Sequence, residues 1–263
     1  MTACYIENDS FAAQWLRNLI AADAIAPGVV IENSIANVAP NDIRHFKQVH
    51  VFAGIGVWSY ALRLAGFPDD RRVFTFSCPC QPFSGTGLGG GFDDKRHLWP
   101  ATHHLIESLR PELCFGEQVA SPLGRTWLDL VLDDLDGSGY TAGAVDLPAC
   151  SVGAPHIRQR LWIMGYTEHA RLEGHTRHVV DPKQRQIEDR PDAATSSVAG
   201  VWAEAVEWLD YSDGVKRPSQ SKSCPMADVT PNHVGRVRAY GNAIVAELAA
   251  EMIGAGLDII EMT

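Results

Sequence analysis

The chain lacks long apolar runs, a leader-like start and a regular framework of cysteines. No uninterrupted apolar stretch reaches the roughly 18 residues that a membrane-spanning helix needs. The first seven residues lack the basic and apolar regions of a signal peptide, and the six cysteines show no framework spacing. These absences predict a protein of a reducing, cytoplasmic compartment with no membrane partner.

A metal-binding pattern is also missing. Cys78 and Cys80 could form half of a zinc site, but no second Cys/His pair stands at ligand spacing. His103 and His104 fall within a predicted helix, where we expect them to be packing and surface residues. The sequence therefore predicts no metal.

Basic residues are scarce. The 263 residues include 22 Lys and Arg against 32 Asp and Glu, which gives a formal net charge of −10. Such a chain is not expected to coat nucleic acid nonspecifically. Residues 214–238 nevertheless hold five basic residues and one acid, so this strip carries 5 − 1 = +4 and leaves −14 on the remainder. The strip is suited to holding one edge of a polyanion, with a solvated loop as the alternative.

Apolar runs alternate with amphipathic patterns along the chain, and this alternation predicts an α/β protein with one sizeable domain and a small addition. Strands are predicted at 5–6, 29–31, 49–52, 73–76, 111–115, 140–145 and 161–164. Helices are predicted at 11–20, 58–65, 98–109, 127–135, 201–209 and 243–253, with Asp9 or Ser10 as the first N-cap and Gly254 as the last C-cap.

The most informative stretch is 77–84, Ser-Cys-Pro-Cys-Gln-Pro-Phe-Ser. Pro79 stops the strand before it, and the following Cys80 is thereby presented in a loop. A thiol in such a position can be a nucleophile if nearby groups stabilise its thiolate. A structural cysteine is the alternative interpretation.

Four other segments complete a pattern with this loop: 52–56 (Phe-Ala-Gly-Ile-Gly), 116–119 (Gly-Glu-Gln-Val), 156–160 (His-Ile-Arg-Gln-Arg) and 241–245 (Gly-Asn-Ala-Ile-Val). Together they resemble the DNA cytosine-C5 methyltransferase family, with its F-x-G-x-G, P-C-Q, E-N-V, Q-x-R-x-R and terminal G-N-S/A motifs. The resemblance covers most of the chain outside about 166–235. The glycine loop alone is a weak signal, whereas the co-occurrence is specific.

The resemblance implies a Rossmann-like, S-adenosylmethionine-dependent methyltransferase that acts on cytosine. Cys80 would attack the ring, Glu117 would act as the acid at its N3/N4 edge, and Arg158 and Arg160 would bind the base carbonyl and orient the loop. The base is expected to flip out of the DNA stack for this chemistry.

The same resemblance implies the binding residues. Those for the cofactor are Phe52, Gly54, Ile55, Gly56, Glu7, Asn8, Ser34, Ile35, Pro79, Leu98, Asn242 and Ala243. Those for the DNA are Gln81, Ser84, Arg96, Lys216, Arg217, Arg236 and Arg238, with Gln81 or Ser84 filling the gap left by the flipped base.

The order of the motifs departs from the family. Two strands with acidic motifs normally separate the glycine loop from the cysteine loop, and they are missing from this interval. Glu7 and Asn8 resemble the first of these motifs, and Ser34 and Ile35 resemble the second, with Ser34 in place of an Asp. We therefore predict a sheet permuted at the N-terminus, with Glu7 close to the glycine loop. The alternative is that residues 1–47 form an unrelated extension.

Three regions are expected: a catalytic domain over 1–165, a small irregular target-recognition region over 166–235, and a C-terminal segment over 236–263 that returns to the catalytic domain. Family resemblance implies a monomer in a prokaryotic or phage-infected cytoplasm, acting on double-stranded DNA. It also leaves room for a cognate restriction enzyme as a partner. The glycine-rich stretch 85–96 is suited to a mobile loop that closes over the substrate.

Three other functions stay open on the sequence. A cytosine-C5 methyltransferase could act on RNA or free nucleotides instead of DNA. The protein could instead be a non-catalytic binding member of the family, because Ser34, Gln118 and His156 differ from the residues that the family motifs have at these positions. An NAD dehydrogenase would use the glycine loop, but the third glycine is missing at its expected place and the P-C-Q motif would be unexplained.

Overall fold

The structure is a computed structural model that describes residues 2–79, 98–167, 208–210, 216–218 and 241–262, with the backbone alone for 208–210, 216–218 and 261–262. The strands are β1 (Ala3–Glu7), β2 (Gly28–Glu32), β3 (Gln48–Val51), β4 (Val73–Phe76), β5 (Leu113–Val119), β6 (Thr141–Leu147), β7 (Arg160–Tyr166), β8 (Trp208–Asp210) and β9 (Lys216–Pro218). The helices are α1 (Ser10–Ala21), α2 (Pro40–Ile43), α3 (Val57–Leu64), α4 (Trp99–Leu109), α5 (Pro122–Gly137) and α6 (Ala246–Met262).

Seven strands form one sheet in the order β2-β1-β3-β4-β5-β7-β6. The first five of these are parallel, and β7 runs antiparallel to both β5 and β6. Hydrophobic clusters under α4 and α5 cover one face of the central strands, and clusters under α1, α3 and α6 cover the other. The predicted α/β sheet flanked by helices is confirmed.

The N-terminal segment is part of this sheet. Strand β1 lies between β2 and β3, with Ala3 paired to Gly28 on one side and to Gln48 on the other. Residues of β1 alternate between the two hydrophobic layers, since Cys4 and Ile6 enter one cluster while Ala3 and Tyr5 enter another. The segment therefore does not behave as an unrelated extension.

Several predicted elements differ from the structure. Helix α5 begins at Pro122, before its predicted start at residue 127, and the short helix α2 was not predicted. Strand β5 continues past residue 115 to Val119, because its second half pairs with β7. Residues 208–209 form part of β8, which pairs with β9, where a helix was predicted; partner-strand hydrogen bonds outweighed local propensity. Helix α6 continues through Gly254 to Met262.

The last of these errors has a packing explanation. A Cβ at Gly256 would lie 2.4 Å from the Met164 sulfur, so this glycine allows α6 to approach β7 closely. Gly256 therefore serves the packing of α6 on β7, and Gly254 does not mark the end of the helix.

None of the helices in the described ranges is both long enough and apolar enough to cross a membrane.

A row of polar side chains lies in the core where β1, β3 and β4 meet. The His50 ring is buried, stacks on Tyr5 with ring centroids 4.9 Å apart, and its Nδ1 lies 2.8 Å from the Thr75 hydroxyl. Its Nε2 lies 3.2 Å from the Gln48 side-chain oxygen. Burial lowers the pKa of His50 to about 3, so this imidazole is neutral in the folded protein at ordinary pH.

The buried histidine predicts a loss of stability in acid. An unfolded histidine binds a proton below about pH 6.5, whereas His50 in the folded protein does so only near pH 3. Between these values the unfolded state holds more protons, so the free energy of unfolding should fall by about 1.4 kcal/mol per pH unit as the pH drops. Urea unfolding at pH 7, 6 and 5 measures this slope.

The His50→Gln variant should show a shallower pH slope than the wild type, by about that amount. Changing the exposed His104 on α4 to Gln is the matched control and should leave the slope unaltered. Equal slopes in the wild type and His50→Gln would show that His50 does not carry the effect.

Candidate active site

The carboxyl ends of the parallel strands meet at one edge of the sheet. Glu7 ends β1, Phe52 follows β3, Ser77 follows β4, and Glu117 lies near the end of β5. Strand β7 runs the other way and begins at this edge with Arg160, which pairs with Val119. Ligands of open α/β sheets bind at this edge, so the fold brings predicted site residues of four strands together with Ser77 of a fifth.

The glycine loop after β3 has a backbone that demands glycine. Gly54 and Gly56 have φ of 54° and 81°, in the left-handed region. A Cβ on Gly56 would also lie 3.0 Å from the Leu16 side chain, so α1 packs directly against this residue. Among the residues that the structure describes, the space around Gly54 is open, since a Cβ there would meet only the Phe52 carbonyl oxygen, at 4.0 Å. The loop therefore has room for a ligand beside Gly54.

Glu7 binds the glycine loop, as predicted. Its Oε2 accepts a hydrogen bond from the Gly54 N–H at 2.8 Å, and its Oε1 accepts one from the Asp9 N–H at 2.8 Å. A carboxylate oxygen has more than one lone pair, so both oxygens can still accept hydrogen bonds from the hydroxyls of a ligand. Asn8, beside Glu7, is exposed.

At the end of β2, Ser34 caps a short 3-10 helix over Ile35–Asn37. Its hydroxyl oxygen accepts from the Ala36 N–H at 3.4 Å, and Ile35 is buried in the core. The Asn33 side-chain oxygen accepts from the Ser34 N–H at 2.8 Å and from the Asn37 side chain at 3.0 Å. Ser34 thus has a structural role as the cap of this short helix.

Glu117 is a buried carboxyl beside two arginines. Its Oε1 forms an ion pair with Arg160 Nε, with the two atoms 2.8 Å apart. The pairing of Phe76 with Gly116 places Ser77 level with Glu117 on the neighbouring strand, where its hydroxyl acts on this carboxyl as a hydrogen-bond donor. Burial raises the pKa of Glu117, while the charges of Arg160 and Arg158 and the Ser77 bond act in the opposite direction. Because burial prevails, Glu117 holds its proton to a higher pH than an exposed glutamate and is suited to act as an acid.

Arg158 binds the C-terminal segment. Its Nη2 donates to the Gly241 carbonyl at 2.8 Å and to the Ala243 carbonyl at 2.7 Å. These bonds join residues 83 and 85 positions apart and bring Asn242, which the sequence assigned to the cofactor, to the same side of the molecule. Arg158 also has φ of 36°, an unusual value for a residue with a side chain.

An open cavity of about 460 Å³ lies between the glycine loop, α1 and the C-terminal segment. Its walls include Trp15, Ile55, Tyr60, Arg158, Ala243 and Val245. This volume is in the range of small-molecule sites. Three predicted residues, Ile55, Arg158 and Ala243, therefore face one cavity.

The two other departures from the family motifs lie in different environments. Gln118 is buried, and its side-chain oxygen accepts from the Val119 N–H at 2.9 Å. His156 is exposed and lines the cavity. Neither position adds a charged group beside Glu117.

Several predicted site residues lie outside the described part of the chain. These are Cys80, Gln81, Ser84, Arg96, Arg236 and Arg238, together with the side chains of Lys216 and Arg217 and the glycine-rich stretch 85–96. The described residues that flank the cysteine loop are Pro79, which is half-buried, and Leu98, which directly precedes α4 and packs against the core.

Ser77 and Trp58 were missed as site residues. Ser77 was noted only as the start of the cysteine stretch, and Trp58 only as part of a helix. The pairing of Phe76 with Gly116 places Ser77 level with Glu117, and no sequence motif indicates this register. The one signal in the sequence that could have identified Ser77 was its hydroxyl group, directly before the predicted nucleophile loop.

Curated relatives match part of the chain. The type II methyltransferase M.NlaX of Neisseria lactamica is 32% identical over 111 residues, which are 40% of this chain and 35% of that protein. The type II methyltransferase M.CviJI of Paramecium bursaria Chlorella virus IL3A is 33% identical over 96 residues, 36% of this chain and 26% of that protein. The match thus spans about a third or less of the length of these relatives.

Solved structures give a weaker likeness. The S. pombe Dnmt2 methyltransferase aligns over 99% of both chains with a TM-score of 0.47 and 12% identity. A mutant of the Spodoptera frugiperda DNMT2 aligns over 62% of this chain and 42% of that one, with a TM-score of 0.42 and 16% identity. At TM-scores below 0.5, these structures support no conclusion about this chain.

The sequence profile described as C-5 cytosine-specific DNA methylase matches residues 59–213, more than half of the chain. The matched stretch contains the cysteine loop, Glu117 and both arginines of 156–160. The chain therefore belongs to the C-5 cytosine-specific DNA methylase family.

Proposed function

We propose that this protein transfers a methyl group from S-adenosylmethionine to C5 of cytosine in DNA through a covalent adduct with Cys80. The observation that carries the proposal is the buried Glu117 carboxyl, paired with Arg160 at the same edge of the sheet as the glycine loop. Because burial raises the pKa of this carboxyl, it is suited to give a proton to the cytosine ring, as the reaction requires. Family membership supports the methyl transfer itself.

The residues at the sheet edge fit S-adenosylmethionine, which members of this family use. The open space beside Gly54 admits a ligand close to the backbone. The Glu7 carboxylate is fixed by two backbone N–H groups and can accept from ribose hydroxyls. The apolar cavity wall at Ile55 extends this surface. When bound, the cofactor supplies a methyl group carried by a positively charged sulfur.

The reaction on the base begins with Cys80. C5 of cytosine is a weak nucleophile, and addition of the Cys80 thiolate to C6 forms an S–C6 bond that moves ring electrons toward N3 and C5. Glu117 donates a proton or a strong hydrogen bond at N3 as negative charge develops there. C5 then forms a bond to the methyl group, while the bond between that methyl group and the cofactor sulfur breaks and its electron pair stays on the sulfur. A base removes the C5 proton, the C5–C6 double bond re-forms, and the thiolate leaves.

The two arginines have different tasks. Arg160 uses Nε for Glu117 and Nη1 for the Gln159 carbonyl, and within the described part of the chain its Nη2 group is left to bind the carbonyl of the base. Arg158 uses Nη2 for the segment at 241–243, so we assign it to holding that segment beside the cavity. This revises the assignment of both arginines to the base.

We also infer that the chain order is permuted relative to the family. The strand whose Glu approaches the glycine loop is β1, and the strand that leads into this loop is β3. The sheet order β2-β1-β3-β4 and the bond from Gly54 to Glu7 support this inference. The family profile begins its match at residue 59, after the N-terminal strands.

The substrate and partners follow from the relatives. Because the curated relatives are type II methyltransferases, we propose duplex DNA as the substrate, a flipped base as the reacting species and a cognate restriction enzyme as a partner. The protein would act as a monomer in the cytoplasm. The catalytic part would be 1–165, the target-recognition part 166–235, and 236–263 would complete the catalytic part.

Bisulfite sequencing of DNA from cells that express the protein tests the proposal. We expect protected cytosines at one short sequence, absent from cells that carry the empty vector. Incorporation of labelled methyl groups into duplex DNA, tRNA and free nucleotides, measured in parallel, identifies the substrate. Incorporation into tRNA or nucleotides alone would contradict the DNA assignment, and no incorporation into any of them would contradict the enzyme.

Replacing Glu7 by Gln is expected to weaken S-adenosylmethionine binding about tenfold. The charge of the carboxylate strengthens its hydrogen bonds to ribose hydroxyls, and the neutral amide offers one acceptor in place of two. Titration calorimetry measures the change. Glu32→Gln at the end of the neighbouring strand β2 is the matched control and should bind as the wild type does. Equal affinity in Glu7→Gln would remove Glu7 from the cofactor site.

A further inference from the structure

Trp58 and Ser77 connect three elements beside Glu117. The Trp58 indole N–H in α3 donates to the Ser77 hydroxyl oxygen at 3.0 Å. The pairing of Phe76 with Gly116 places Ser77 level with Glu117 on the neighbouring strand, and the Ser77 hydroxyl acts on the Glu117 carboxyl as a hydrogen-bond donor. Ser77 lies at the end of β4, three positions before Cys80, and Trp58 lies two positions after Gly56. The glycine-loop helix, the cysteine loop and the acid therefore meet at Ser77.

The chemistry of the three groups sets the direction of these bonds. An indole N–H can only donate, so Ser77 Oγ accepts from Trp58. The hydroxyl proton of Ser77 is then available for Glu117, and its direction is restricted because the oxygen is already held. Trp58 itself is buried and packs edge-to-face on Trp162, with ring centroids 5.8 Å apart. The donor to Glu117 is thus anchored by the core.

Glu117 needs such a donor because burial favours its neutral form. The two cations that act on it, Arg158 and Arg160, come from the segment that enters β7. The Cys78 thiol at the end of β4 is a further titratable group that interacts with it, and α3 presents the uncharged Trp58. Ser77 is an uncharged donor that stabilises the ionised carboxylate without adding another cation near the base.

We propose that Ser77 is a positioning residue that orients the Glu117 carboxyl and stabilises its ionised form, with its own hydroxyl held in place by Trp58. The inference rests on the proposed function, in which Glu117 gives a proton toward the base during addition and takes it back when the thiolate leaves. A buried glutamate without this donor would hold the proton too firmly for the first step, in which the proton moves toward the base. The substrate contacts of Glu117 are not altered by this assignment.

The test measures the ionisation of Glu117 directly. Glutamate labelled with ¹³C at the side-chain carboxyl is incorporated, and the Glu117 resonance is assigned by its loss in Glu117→Gln. In Ser77→Ala the titration midpoint of this resonance should rise by about one pH unit, since a hydrogen bond to a charged group is lost. Ser77→Thr retains a hydroxyl and should keep the wild-type midpoint.

A pair of tryptophan variants supplies the matched control. Trp58→Phe removes the indole N–H that holds Ser77 and should raise the midpoint in the same direction by a smaller amount. Trp99→Phe removes a buried indole N–H that donates to Asp134 in the opposite hydrophobic layer, and it should leave the midpoint unchanged. An unchanged midpoint in Ser77→Ala, or an equal rise in Trp99→Phe, would overturn the inference.

The titration separates this inference from the proposed function. It is carried out on the free protein and does not depend on methyl transfer. If the midpoints shift as expected but the wild type methylates no cytosine, the proposed function fails while the role of Ser77 toward Glu117 stands. If the wild type is active and the midpoint is insensitive to Ser77, only the inference about Ser77 fails.

Discussion

Replacing Cys80 by Ser is expected to abolish methyl transfer and to leave S-adenosylmethionine binding intact. The thiolate is the species that adds to C6, and a serine hydroxyl remains protonated at neutral pH and is a far weaker nucleophile. The proposed cofactor groups Glu7 and the glycine loop are instead on the β1 and β3 side of the sheet. Incorporation of labelled methyl groups should fall below detection, while titration calorimetry should give an unchanged cofactor affinity.

Cys150 offers the control for this experiment. It is an exposed cysteine in the short helix over Ala149–Val152, before the arginine segment. Cys150→Ser should retain wild-type activity, which shows that the loss in Cys80→Ser does not come from removing a thiol in general. Methyl transfer by Cys80→Ser at the wild-type rate would eliminate the covalent mechanism.

Replacing Glu117 by Gln is expected to lower the single-turnover rate by roughly two to four powers of ten, the range for loss of an acid–base group. Glutamine has nearly the same shape and can still accept a hydrogen bond from Arg160, so the local structure should be kept. It cannot give up a proton as charge develops at N3. Rapid-quench measurement of methyl transfer at saturating cofactor and DNA reports this step.

The matched control for that variant is Glu107→Gln, on the exposed side of α4. It removes the same charge from the protein at a place that does not contact the sheet edge, and its single-turnover rate should equal that of the wild type. The acid assignment would be rejected by a Glu117→Gln rate within about threefold of the wild type. DNA affinity should change little in either variant, because the effect is expected in the chemical step.

Much of the local structure was predictable because it depends on neighbours in sequence. Strand β4 has the predicted bounds, Val73–Phe76, since four apolar residues are followed by the break at Ser77 to Pro79. Asp9 caps α1 as predicted, through its side-chain oxygen and the Ala12 N–H at 3.0 Å. The approach of Glu7 to Gly54 was also predicted, because the family motifs constrain which strand ends must meet.

The failures have a common cause in contacts between distant residues. Strand β5 runs on through Glu117 because β7 pairs with its second half. Helix α6 continues past Gly254 to Met262. At Gly256 the helix packs against Met164, and this contact requires a small residue, so a glycine in this helix is not a stop signal. In each case the energy of a tertiary contact exceeded a local preference of about 1 kcal/mol or less.

The amino-acid sequence by itself determined the family and the order of most strands and helices, and it supplied the reactive groups of the proposed mechanism. These features are carried by residue type and short spacing. Only the tertiary structure decided that Ser77 lies beside Glu117 and that Arg158 binds the carbonyls of Gly241 and Ala243. The physical reason is that strand register and the docking of α6 are set by packing over the whole sheet, which no local pattern encodes.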